Sequence, residues 1–134
     1  MSQTISILTI VDTVDIANNG ITPQNTYMID TQGYLGESEG TNELITKCND
    51  GDILQWRIVG IRPNVTVNTA NYSGSAKDQY HIIDPEPVSA LGEDYWTSRV
   101  ELGGNQPTQY QYTFDIVIND KSYPFDPYIL VSKV

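Results

Sequence analysis

The closing stretch of the chain alternates with a period of two. Tyr110, Tyr112, Phe114, Ile116 and Ile118 fall on one side, with Gln111, Thr113, Asp115 and Val117 on the other. Only an extended strand sends successive side chains to opposite faces, so this segment is half-buried β structure. A turn follows at Asn119-Asp120-Lys121-Ser122, and an apolar run from Tyr123 to Val131 reads as a short return strand.

The rest of the chain repeats the pattern. Strands are expected over Ile5–Val14, Tyr27–Ile29, Glu43–Cys48, Ile53–Ile61, Val65–Val67, Gln79–Ile83 and Tyr95–Glu101. Leu54, Trp56 and Ile58 share one face of the fourth, and Trp96, Ser98 and Val100 one face of the last. Asp50-Gly51 supplies the positive φ angles of a tight hairpin. Pro85 and Pro87 cannot donate to a ladder and should stop the strand before them. Loops are expected at Asp15–Gln24, Asp30–Thr41, Asn71–Asp78 and Pro87–Asp94, with a turn at Gly103–Pro107. Gly36–Lys47 is the best helical candidate, weakened by its glycines and threonines. Eight or nine short strands between closely spaced turns predict an all-β fold. The form expected is an antiparallel β-sandwich, jelly-roll or Greek-key-like, with residues 1–134 as one domain.

A chain of 134 residues buries roughly two-thirds of the surface its unfolded form exposes, so it needs no disulfide staple. The lone Cys48 could make none within the chain, and it reads as a small apolar residue on a strand. Seven basic against 17 acidic residues give a formal net charge of −10. That balance excludes nucleic acid and anionic membrane surfaces as natural partners. Ser6, Thr9 and Asp12 interrupt the first apolar stretch, so neither a cleavable secretory signal nor a membrane span is expected, and the chain reads as cytoplasmic.

No catalytic constellation is legible. His81 is the one imidazole, and no nucleophile stands near it in a recognisable order, so a Cys48–His81 dyad would depend wholly on folding. One His and one Cys far apart do not suggest zinc. Oxygen-ligand cations suit the composition better. Calcium takes carboxylates, amides and carbonyls, and Asp12, Asp15 and Asn18 form the first candidate cluster. Glu37/Glu39, Asp50/Asp52 and Glu93/Asp94 are the others, and none has the spacing of a calcium loop. The remaining lead is aromatic: nine Tyr and two Trp. An aromatic face covers the apolar side of a pyranose while carboxylates and amides meet its hydroxyls. Asp30, Glu93, Asp94, Trp96, Asp126 and Tyr128 are the candidate contacts for a carbohydrate ligand, and no catalytic residue is assigned.

Several segments in order resemble the AidA/PixA inclusion-body protein family of bacteria. They are Ile7-Leu8-Thr9-Ile10-Val11-Asp12, Asn25-Thr26-Tyr27-Met28-Ile29-Asp30, the stretch from Gly33 to Leu44, Gly51-Asp52-Ile53-Leu54-Gln55-Trp56-Arg57, Trp96-Thr97-Ser98-Arg99-Val100-Glu101 and Phe125-Asp126-Pro127-Tyr128-Ile129. The resemblance implies a bacterial protein, often made under quorum or stationary-phase control, some of whose relatives accumulate in cytoplasmic inclusions. It transfers no catalytic residue. Methionine-rich members exist, but this chain has only Met1 and Met28, which speaks against methionine storage. Three functions follow as expectations. The first is a non-catalytic, lectin-like carbohydrate-binding protein, homo-oligomeric and calcium-assisted. The second is a structural or storage protein that self-assembles into inclusions. The third, least favoured, is an enzyme.

Overall fold

The computed structural model describes residues 2–32, 44–63, 65–78, 81–90, 93–102 and 108–132. It contains strands β1 (Thr4–Val11), β2 (Thr26–Asp30), β3 (Ile45–Asn49), β4 (Ile53–Gly60), β5 (Val67–Ser73) and β6 (Ile82–Ala90). Strands β7 (Glu93–Val100), β8 (Thr108–Gln111), β9 (Thr113–Ile118), β10 (Lys121–Phe125) and β11 (Tyr128–Ser132) complete it, with short helices α1 (Thr13–Asn19) and α2 (Ser75–Asp78). The strands form one five-stranded sheet, ordered β2-β1-β4-β7-β6, and two three-stranded sheets, β10-β9-β5 and β3-β11-β8. The all-β sandwich expected from the sequence is present. It is mainly antiparallel, but β1 runs parallel to β4 and β11 parallel to β3. Each parallel pair is separated in sequence by intervening strands, as a parallel connection requires. Among the described residues no helix is long and apolar enough to cross a membrane.

Period-two burial builds the core. In β1, Ile5, Ile7, Thr9 and Val11 are buried while the residues between them are not. β9 repeats this with Phe114, Ile116 and Ile118. Leu54 and Trp56 of the five-stranded sheet are buried in the core, and Trp56 meets residues of the facing layer. The Trp56 indole N–H donates to the Tyr112 hydroxyl at 3.0 Å. Tyr72 of β5 packs against Trp56, Trp96 and Phe114, with ring centroids 4.7–5.0 Å apart. Phe125 meets Phe114 edge-on at 4.2 Å. This aromatic stack ties the layers together, and each such pair contributes about 0.5–1.5 kcal/mol beyond its buried area.

Several local expectations are corrected. The Asp15–Gln24 loop begins as helix α1. The Asp12 carboxylate accepts from the N–H groups of Val14 and Asp15, the Gly20 N–H closes the last turn on the Ile16 carbonyl, and Ile16 is buried. Seven residues with one apolar anchor show no helical period. Asn71–Asp78 is the end of β5 followed by α2. Asn49-Asp50-Gly51-Asp52 is a tight turn, with Gly51 at φ 92° and the Asp52 N–H on the Asn49 carbonyl, but it makes no hairpin. Its flanks, β3 and β4, belong to different sheets, so it is a corner.

Pro85 and Pro87 do not stop their strand. β6 is an edge strand, so a missing donor on its open side costs no ladder bond. A register shift between Ile83 and Glu86 absorbs one residue there, and the Ser98 hydroxyl donates to the Ile83 carbonyl at the irregularity. Of Pro87–Asp94, expected to be irregular, Pro87–Ala90 and Glu93–Asp94 therefore contribute to the β6–β7 pair, and residues 91 and 92 lie outside the described residues. The long closing strand is divided at Tyr112, because β8 pairs with β11 and β9 with β10 and β5. The turn after β9 is the hairpin expected, with Asn119 and Asp120 at φ 49° and 65°. The Gly103–Pro107 turn and most of the Asp30–Thr41 loop lie outside the described residues, as do the helical candidate as far as residue 43 and the Glu37/Glu39 pair.

Candidate functional site

A groove of about 510 Å³ opens along one side of the sandwich, between the five-stranded sheet and the edge of β5. Trp56 and Ile58 of β4 lie at its floor with Trp96 of β7. Asn68 and Thr69 of β5 form one wall. Pro87 and Ser89 of β6, with Asp94 and Tyr95 of β7, form the other. The paired strands explain the placement: Pro87 stands opposite Trp96 and Ser89 opposite Asp94. Trp96 is half-buried and is backed by Tyr72, their ring centroids 4.7 Å apart and tilted by 32°. The Ser89 hydroxyl donates to Asp94 Oδ1 at 2.6 Å, which orients the carboxylate.

Of the six ligand candidates, the groove takes in Asp94 and Trp96. Glu93 opens β7 opposite Ala90. Asp30 ends β2 elsewhere, where it accepts from the Thr46 hydroxyl at 2.8 Å and the Gln32 N–H at 2.9 Å. Burial pushes its carboxyl above the ordinary range, against the pull of those two donors. Asp126 is exposed and accepts from the Thr113 hydroxyl at 3.1 Å. Tyr128 begins β11 between Ile45 and Gln111. Neither lines the groove. Asn68, Thr69 and Ser89 were not singled out in the sequence, since nothing local marks them.

The calcium candidates have structural partners. Asp12 caps α1 and takes Arg62 in a bidentate pair, Nε at 2.6 Å and Nη2 at 3.0 Å. That guanidinium, through its hydrogen bonds, holds the Asp12 carboxyl below its ordinary value. Asp15 accepts from Asn19 at 3.0 Å and Asn25 at 2.7 Å. Asn18 is exposed near the end of α1. Asp52 is fully buried and accepts from the Gln3 and Asn49 N–H groups at 3.1 and 2.8 Å, pinning the amino-terminal strand to the corner. Asp50 accepts from the Leu102 N–H. Among the described residues no three His, Cys, Asp or Glu side chains gather as a metal site would need.

His81 and Cys48 are both buried, with separate partners. The His81 ring stacks on Tyr110 at 3.7 Å, and its Nδ1 lies 2.8 Å from the Glu101 carbonyl. Cys48 Sγ faces the Leu130 carbonyl at 3.8 Å, and burial pushes its thiol up to about 12. A thiol so placed is a poor nucleophile, and the dyad is not assembled.

A second surface is apolar. The outer face of the five-stranded sheet carries Tyr27, Ile10 and Val59 in one row across β2, β1 and β4, with Ile29, Leu8 and Arg57 in the next row on that face. Tyr27 and Val59 are 46% and 45% exposed, and Val14 and Ile61 are also exposed.

A family profile described as a domain of unknown function (DUF8788) matches residues 3–123. No curated protein matches the sequence. Among solved structures the chain is similar to the inclusion body protein PixA from Burkholderia cenocepacia J2315. The identity is 12% and the TM-score 0.68, over 100% of this chain and 97% of that one. The resemblance seen in scattered segments is thus present as a shared fold. An endo-fucoidan hydrolase of glycoside hydrolase family 107 also aligns, at 8% identity and TM-score 0.40, over 82% of this chain and 17% of the enzyme. A likeness that low carries no argument.

Proposed function

We propose that this chain, which belongs to the DUF8788 family, is a non-catalytic structural protein whose copies assemble with one another into cytoplasmic inclusions. The observation that carries the reading is the full-length likeness of fold to a protein described as an inclusion body protein. The outer face of the five-stranded sheet supplies a contact. A sheet face with apolar residues in adjacent rows favours burial; against the same face of a second copy it closes a pair, and a further, heterologous contact extends the pairs into large bodies. The buried His81 and Cys48 fit a protein that does no nucleophilic chemistry. A lectin-like protein is the second reading, favoured by the groove that joins Asp94 to Trp96, and calcium assistance belongs to that reading.

Assembly is tested by expressing the full chain, imaging the cells by electron microscopy and measuring the purified protein by sedimentation velocity. Dense bodies and a concentration-dependent shift to large species are expected. Val59→Lys and Tyr27→Lys, both at exposed positions, should return the protein to monomer with its circular dichroism unchanged. Wild-type protein that stays monomeric and dispersed at high expression defeats the proposal.

A further inference from the structure

The geometry points to the ligand of the lectin-like reading, on which this inference rests and which is separate from assembly: the groove beside β5 is a binding site for a neutral pyranose sugar. Its volume, about 510 Å³, falls within the range of small-molecule sites. The floor is aromatic and rigid, because Trp96 rests on Tyr72, which is itself stacked on Phe114 at 4.9 Å with 10° between planes. A flat, fixed indole suits the C–H face of a sugar ring, which is apolar but needs a planar partner.

The rim is polar and mostly neutral. Thr69 of β5, with Ser89 and Asp94 of the β6–β7 pair, lines the opening. Hydroxyl groups both donate and accept, as sugar hydroxyls do, and a carboxylate accepts from two neighbouring hydroxyls. Asp94 is already held by Ser89 at 2.6 Å, so little ordering remains to be done when a ligand arrives. The charge of the lining sets the class. No Lys or Arg stands among the described lining residues, while Asp94 repels anions, so phosphorylated and acidic ligands are disfavoured. A quaternary ammonium would use the aromatic floor and Asp94 but would leave Thr69 and Ser89 without a role.

The test is saturation-transfer NMR and tryptophan-fluorescence titration of the intact chain with glucose, mannose, galactose, fucose and N-acetylglucosamine. Choline serves as the non-sugar probe. At least one pyranose should bind saturably. Asp94→Asn and Ser89→Ala, at exposed positions, should each weaken it about tenfold, as expected when one hydrogen bond at the ligand site is lost. Trp96→Ala should abolish binding, and thermal unfolding of each variant reports whether the fold is kept. The inference is overturned if no pyranose binds the wild type. It is overturned equally if choline binds instead, or if binding survives both Asp94→Asn and Ser89→Ala unchanged. Sedimentation is a separate readout, so failure here leaves the assembly proposal standing, and failure of assembly leaves this one.

Discussion

Tyr112 carries two duties at one position. Its hydroxyl accepts the Trp56 N–H at 3.0 Å deep in the sandwich, and its backbone N–H donates to the Pro127 carbonyl where the chain leaves one sheet for another. Tyr112→Phe keeps the ring but leaves the Trp56 N–H buried without a partner. It should lower unfolding stability by about 1–3 kcal/mol in urea titrations. A change within a few tenths of wild type would mean that the bond contributes nothing net. Asp30 makes a case of opposite sign. Its folded pKa lies above the unfolded value of 3.8, so between the two the folded chain holds more protons. Stability from this group therefore falls as pH rises through that window. Asp30→Asn keeps an acceptor for Thr46 and removes the charge. Its urea midpoint should exceed that of wild type near neutrality, and the two should converge in acid below the unfolded value. Midpoints that differ by the same amount at every pH would assign the effect to packing instead.

Turns decide which strands belong to which sheet. Gly74 joins β5 to α2 at φ 97°, and a Cβ there would lie 2.9 Å from the Tyr112 Cα and 3.0 Å from the Gln111 carbonyl. Gly51 at the β3–β4 corner has φ 92° but open space around it. Both positions disfavour an L side chain by about 1–2 kcal/mol. Gly74→Ala must also push backbone against backbone, so its loss of thermal stability should clearly exceed that of Gly51→Ala. Equal losses would show that the β8–β9 crossing yields readily. These elements also mark what could be read in advance. Period-two alternation from Tyr110 to Ile118 and the Asn119-Asp120 turn announce themselves, because strand periodicity and left-handed backbone are local properties. The break at Tyr112 does not, since the alternation runs through it and only the partners change. Pro85 and Pro87 mislead for the same reason: whether a missing donor costs a bond depends on the strand's place at the edge. Asp94 and Trp96 are legible as a pair because they are near neighbours in sequence. Asn68, Thr69 and Ser89 join them only through folding, from strands whose local sequence says nothing of the groove.

The whole molecule carries a charge that opposes the assembly proposed for it. With 17 acidic and seven basic residues, copies repel one another near neutrality, whereas the rows containing Tyr27, Ile10, Val59, Ile29 and Leu8 are apolar and include one cation, Arg57. Apolar attraction hardly depends on salt, but the repulsion does. The distance over which charges are felt contracts from about 30 Å at 0.01 M ionic strength to about 3 Å at 1 M. Association through this face should therefore strengthen as salt is added, and again as pH falls toward the pI near 4.2, where the net charge vanishes. Sedimentation velocity across that salt range reads the trend directly. A contact built from ion pairs would respond the other way, weakening with salt, and would move the interface from the apolar sheet face to the charged loops. Val59→Lys separates the two further: added at the apolar face it should abolish the salt-strengthened species, although it lowers the net negative charge and so the general repulsion.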